Sequence, residues 1–370
     1  MNHSDDTLAM LRDSLARYLA DHYDFDKRRA LLADAVTEAP LWRGLAAELG
    51  LLGATFPEAL GGLGGTTADG LALMETFGEA LAAEPWLSTV VVAGDLLARA
   101  DGERAGTLIG RIVAGDAVIA FAHDEPHQPF GATGLRSTLR PDGGGLVLEG
   151  RKSVVQCAPW ASHLLVSASD GAGGTSLALI DADAPGIVRR DLRTVDGGRA
   201  SELRFDAVRV PADALIGAPG AAAPLVERAL DLGALAVSFE ALGVLRRMLA
   251  DTIAYANQRR QFGVAISSFQ ALQHRIVDMH IALEQAQALV RAAASQLDAA
   301  PAQRAAAVSS AKVMAGRACR TVGQGAIQVH GGMGMTDELA VGHYFKRATA
   351  IELSWGTTDR HLRRVDRLTG

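Results

Sequence analysis

Two stretches in the last third of the chain carry residue types suited to an anionic ligand. QRRQFGVAISSFQALQH (258–274) places Arg259 and Arg260 beside Gly263 and is followed by Phe269-Gln270. QVHGGMGMTDE (328–338) places Gly331, Gly332 and Gly334 in one loop. Glycine lets backbone amides approach a ligand closely, and amides with a guanidinium together suit a phosphate or diphosphate. Each stretch also has a plainer reading. A glycine behind cationic residues ends many helices, and glycines after a helix often mark a turn. A third stretch, AIELSWGTTDRHL (350–362), sets a glycine-threonine turn between Glu352 and Asp359, with Trp355 directly ahead of Gly356-Thr357. The two acids flanking the turn read most plainly as surface or capping residues, and the indole of Trp355 can take no proton as a base.

The elements that must position these residues follow from periodicity. Leu235, Phe239, Leu242, Leu245, Leu249 and Ile253 recur at helical spacing, which predicts a helix ending at Gly263. Leu272, Ile276, Met279 and Leu283 predict a second, opening at Phe269-Gln270 and running to about Ala299. Pro301 opens a third at its tolerated first-turn position. Helices this long exceed the globular mean of ~11–12 residues, and antiparallel bundle packing is their natural use.

Upstream, AVIAFAH, GLVLEG, HLLVSAS, TSLALID and ELRFDAVRVP are short β-type runs separated by PDGGG and DGAGG. They predict a small antiparallel β domain. The N-terminal zone is helical again. Leu8, Leu11, Leu15, Tyr18 and Leu19 follow the cap candidates Ser4 and Asp5. Trp42, Leu45 and Leu49 mark a second helix, the loop FPEALGGLGG interrupts, and 67–81 predicts a third with Leu71, Met74 and Phe77 on one face. The fold class is therefore α+β, divided as helical 1–116, β 117–220 and helical bundle 221–370.

Composition excludes several classes. A net charge of −6 gives no electrostatic reason for nucleic acid or an anionic membrane. No apolar run reaches the ~18 residues of a membrane helix, and MNHSDDTLAML has no basic signal-type region. Cys157 and Cys319 are too few for a disulfide framework or zinc, so no metal is expected. A cytoplasmic protein is the expectation.

Taken together and in order, RxQFGxxIxxFQxxQH … QVHGGMG over an α–β–α layout resembles the acyl-CoA dehydrogenase family. FPEALGGLGG, METFGEALA, EGRKSVVQCAPWASHLLVSA and LRFDAVRVPADALIG extend the likeness over nearly the whole chain. The resemblance implies that family's fold and FAD-linked oxidation of an acyl-CoA thioester at Cα–Cβ. It implies an electron-transfer flavoprotein as acceptor and a homo- or hetero-tetramer. By position, Arg259, Gln261, Phe262, Phe269 and Gln270 would touch the ADP half of FAD. Gln328, Val329, Gly331 and Gly332 would flank the pyrophosphate, with Thr357 also at the cofactor, largely across a subunit interface.

The resemblance also exposes a gap. Much of the family carries its base as a glutamate directly before Gly-Thr, and here that position is Trp355. A minority carry it 29 residues before the phenylalanine of RxQFG, which here is Gly233. Glu240, two turns on, is the candidate substitute, with Glu352 and Asp359 behind it. The alternative is a subunit of a heteromer, resembling the small-subunit type. At AFAHDEPHQPFGATG only Glu125-Pro126 of the acidic-Pro stretch is kept, without the glycine-serine turn that wraps a flavin ring. A flavin monooxygenase-like activity or a purely structural role are further alternatives, which the intact RRQFG and FQ elements oppose.

Overall fold

The computed structural model describes residues 3–33, 38–100, 103–126 and 131–369. The chain forms two compact units. The first comprises 1–14, 29–70 and 83–233, and the second 15–28, 71–82 and 234–370. Helices α1 (His3–His22), α4 (Thr67–Glu79) and α7 (Ala223–Gln258) contribute residues to both. Because α1 begins at His3, the cap candidates Ser4 and Asp5 stand within its first turn.

In the first unit the β zone is one seven-stranded sheet. Its strands are β1 (Ile119–Ala122), β2 (Thr138–Asp142), β3 (Gly145–Gln156), β4 (His163–Ser169), β5 (Thr175–Asp181), β6 (Ile187–Arg193) and β7 (Arg199–Val210). The order is β1-β4-β2-β3-β7-β6, and β5 also pairs with β4. Pairing is antiparallel except that β1 and the first residue of β2 meet β4 in parallel. Alternate residues such as Leu148, Leu164, Val166, Leu203, Phe205 and Val208 form its core. Five strands fall on the five apolar runs. Sequence patterning missed β6, whose IVRRDLR leaves most side chains in solvent, and β2, whose TLRPD lacks an apolar run. It also missed the π-helical stretch Leu87–Ala93, all seven residues of which are buried.

The second unit is helical. It holds most of α7, then α8 (Gln270–Ala294), α9 (Pro301–His330), α10 (Ala340–Leu353) and α11 (Thr358–Thr369). Two lengths differ from expectation. α8 stops at Ala294, before the short turns that lead to Pro301. α7 stops at Gln258, not Gly263, because 260–265 form a hairpin of β8 (Arg260–Gln261) and β9 (Val264–Ala265). Phe262 and Gly263 make the two-residue turn, with φ 53° and 83°. Two-residue hairpin turns of type I′ need positive φ at both central residues, which is easy for glycine and costly for phenylalanine.

α4 and α7 cross at two glycines. A Cβ on Gly78 would overlap the Glu240 carbonyl, and one on Gly243 would overlap the Glu75 carbonyl. The helices can approach this closely only because neither position carries a side chain. Gly243→Ala should therefore force the backbones apart and destabilise the fold by about 1–3 kcal/mol, as overpacked cores do. Urea unfolding measures this, and an unchanged midpoint would show that the crossing has slack.

Candidate functional site

The two glycine-bearing stretches come together at one end of the second unit. Ala256 on α7, Ile266 between hairpin and α8, and Val329 near the end of α9 share a small core, with Tyr255, Leu272 and Ile276 against it. The Tyr255 ring stacks on that of His330 at 4.3 Å between centroids, and the Ile266 amide donates to the Arg259 carbonyl at 2.9 Å. These contacts fix the hairpin beside the loop at 331–335.

Above that core the candidate ligand groups face solvent. Arg259, Gln261, Gln270, Gln328, Gly331 and Gly332 are exposed, and Phe262 is 93% exposed. Phe269 stands edge-on to Phe262 with ring centroids 6.3 Å apart. Nothing lies within 4 Å of where a Cβ on Gly331 or Gly332 would project, so the loop is open on that side. Its exposed backbone and the exposed Arg259 are a donor set that suits an anionic group. Val329 differs from the rest: its side chain is buried in the core, so only its backbone is available.

In the first unit Glu125 is engaged within the protein. Its carboxylate takes the Lys152 ammonium at 2.8 Å and the amides of Arg136 and Ser137 at 2.7 and 3.0 Å. Burial raises its pKa, but the Lys152 charge and these hydrogen bonds outweigh that and leave it lowered. Burial likewise pushes Lys152 down to about 8 against the pull of Glu125. His123 bonds Ser167 and the Gly131 carbonyl. The sequence reading of the missing glycine-serine turn falls partly on 127–130, outside the described residues. The described groups form a buried polar cluster in which Glu125, Lys152, His123 and Ser167 bond to one another and to backbone.

Of the base candidates, Glu240 is buried and gripped at both oxygens. Arg347 on α10 donates Nε to one and Nη2 to the other, each at 2.6 Å. That geometry suits a fixed anion, joining α7 to α10. Glu352 accepts the Thr358 amide at 3.3 Å and faces Arg320 at 3.6 Å. Asp359 is exposed in the first turn of α11. Thr357 caps α11: its hydroxyl accepts the Arg360 amide at 3.3 Å and its carbonyl the His361 amide at 3.1 Å.

Trp355 is half-buried, with φ at 55° in the left-handed region. His361 Nε2 lies 2.8 Å from its carbonyl, and Nδ1 lies 3.1 Å from the Ser309 hydroxyl on α9. Sequence reasoning passed over His361, Ser309, Arg347 and Lys312. The signal for Lys312 was present: it stands on the buried stripe of α9 with Val308, Ala315 and Cys319, where a lysine is out of place unless bonded. Among the described residues no cluster of His, Cys, Asp or Glu could hold a metal. No helix there is long and apolar enough to cross a membrane.

Comparison with known proteins gives a consistent result. Residues 5–116, 120–208 and 223–368 match the N-terminal, middle and C-terminal domains described for acyl-CoA dehydrogenases. The probable acyl-CoA dehydrogenase YngJ of Bacillus subtilis is 32% identical over 326 residues, covering 84% of this chain and 85% of that protein. Among solved structures, the ChsE4–ChsE5 complex from Mycobacterium tuberculosis superposes with a TM-score of 0.90 at 27% identity, covering 99% of this chain and 97% of that one. A variant of the Tcur3481–Tcur3483 steroid ACAD gives 0.89 at 31% identity, covering 98% of each chain.

The buried imidazole makes the turn acid-sensitive. Burial holds the His361 pKa down at about 4, against 6.5 ordinarily. The unfolded chain therefore binds a proton that the fold excludes. The contribution of His361 is complete above about pH 6.5 and is lost as pH falls toward 4. Between pH 7 and 5 that loss is about 2 kcal/mol. Urea unfolding at both pH values should show a drop larger by this amount in the wild type than in His361→Gln. Equal drops would show that the imidazole is not excluded from protonation.

Proposed function

The chain belongs to the acyl-CoA dehydrogenase family of oxidoreductases, and from that premise we propose that it is the non-basic subunit of a heteromeric, FAD-dependent enzyme. One observation carries the reading: no free carboxylate stands at either expected base position. Trp355 occupies the place before Gly356-Thr357, Gly233 occupies the other, and the nearby Glu240 has both oxygens on Arg347. To act as a base the buried Glu240 would have to give up the bidentate pairing of its charge with Arg347, which is costly.

In this reading the chain lends its exposed edge to FAD held mainly by a partner. Arg259 and the amides at Gly331 and Gly332 would face the pyrophosphate, and Phe269 and Gln270 the adenosine side. FAD held there would supply a hydride acceptor for Cβ, with an electron-transfer flavoprotein as the onward acceptor. Since this chain has no carboxylate at either expected base position, the α-proton would go to a carboxylate of the partner chain. The backbone N–H at Trp355 can still donate to a thioester carbonyl. The turn is therefore an acyl-CoA contact without a base, and turnover belongs to the partner's site. The likeness to two-protein assemblies, one of them a steroid ACAD, supports a heteromer and a bulky acyl group. The exposed ADP-type edge disfavours a mononucleotide monooxygenase.

FAD content per chain, read with the mass in solution, tests the proposal. The chain expressed alone should retain little FAD, and co-expression with its partner dehydrogenase should give about one FAD per two chains. One FAD per chain in a homotetramer would overturn it. Glu240→Gln separates the rival base reading. The heteromer should keep its turnover within a few-fold while losing about 3 kcal/mol of stability from the broken buried pair. A thousand-fold loss of turnover at an unchanged fold would identify Glu240 as the base.

A further inference from the structure

The Trp355 turn is gripped from α9 at three points, none of which the proposed function uses. The Lys312 ammonium, wholly buried, donates to the carbonyls of Ile351 at 2.9 Å and Glu352 at 3.1 Å. These are among the last carbonyls of α10, which its own helix leaves without partners. One turn earlier on α9, Ser309 meets His361. A carbonyl only accepts, so His361 Nε2 carries its hydrogen toward Trp355 and Nδ1 accepts from the Ser309 hydroxyl. One turn later, Gly316 leaves the room that Thr358 fills: a Cβ there would overlap the Thr358 hydroxyl and crowd Glu352.

Two features make this grip more than packing. Burying a lysine is costly when methionine could fill the same space, so the ammonium is kept for what it bonds. A non-glycine residue in the left-handed region persists only where its surroundings hold it there, as Trp355 is held. A turn that merely filled space after losing its acid would need neither device.

We infer that Lys312 and His361 are positioning residues that fix the backbone of the Trp355 turn so that it can receive an acyl-CoA thioester. Lys312 sets where α10 stops, and His361 sets the peptide that follows Trp355. The inference rests on the reading of that turn as an acyl-CoA contact, but not on the heteromer or on which chain holds FAD.

Hydrogen exchange of the segment 350–362, followed by mass spectrometry in the FAD-loaded assembly with and without octanoyl-CoA, is the test. In the wild type, octanoyl-CoA should slow exchange across the segment. His361→Ala and Lys312→Met should each speed basal exchange there at least ten-fold and abolish the protection, with FAD content unchanged. His361→Gln should restore both, because an amide side chain can donate to one partner and accept from the other. A structural defect alone would not be rescued in this way. Basal exchange unchanged in His361→Ala and Lys312→Met would overturn the inference. If those variants speed exchange but octanoyl-CoA never protects even the wild type, the grip is real and the inference fails on its substrate part, and with it the placement of acyl-CoA at this turn. Should both variants fail to fold, Ser309→Ala removes the outer hydrogen bond to His361, together with the longer one from Arg364 at 3.5 Å. It should speed exchange about three-fold, and no change there would equally overturn the inference.

Discussion

The ion pair between Glu240 and Arg347 is the constraint on which the second unit turns. Both carboxylate oxygens are engaged at 2.6 Å, with Glu240 buried and Arg347 partly exposed. A buried charge left alone is far more costly than one paired, so neither helix can shift without losing the pair. The same residue presents its backbone carbonyl to Gly78 on α4. Three helices thus meet at one position. α7 runs on from there to the hairpin at 260–265, and α10 runs on to the Trp355 turn. The location of every candidate ligand group in this unit follows from that junction.

Around it, charge is used to fix helices rather than to do chemistry. Glu75, fully buried on α4, is shared by Arg246 on α7 and Arg291 on α8. Lys312 spends its charge on two carbonyls. His361 remains neutral because burial favours that form. Glu84 in the first unit is likewise pushed up to about 8 by burial, with only the Leu41 amide opposing. These groups would draw attention as catalytic on burial alone. Their partners show that they hold backbone in place.

The candidate ligand edge follows the opposite logic. Its functional side chains are exposed while the residues just beneath them, Ala256, Ile266 and Val329, are buried. Phe262 in a strained turn, almost fully in solvent, is a conformation and an exposure that a free monomer gains nothing from. Removing that ring from water favours whatever covers it. A rigid base with an open, partly apolar rim is the form expected of a surface that meets a second molecule.

Local physics is legible in one chain, and so the sequence alone determined much here. The long helices follow from 3–4 periodicity, five of seven strands from apolar runs, and the candidate ligand edge from the family resemblance that RRQFG, FQ and HGGMG carry together. It also determined that Trp355 cannot be a base, since that depends only on the side chain. Only the tertiary structure decided the rest. β6 and β2 form because neighbours complete their hydrogen bonds, although their own residues carry little apolar pattern. Gly263 is a hairpin residue and not a helix cap because the chain folds back on itself at Arg260–Ala265. Glu240 looked available because its partner lies 107 residues away, and no local rule connects them. An acid's role depends on what stands opposite it, and that is set by how the helices pack.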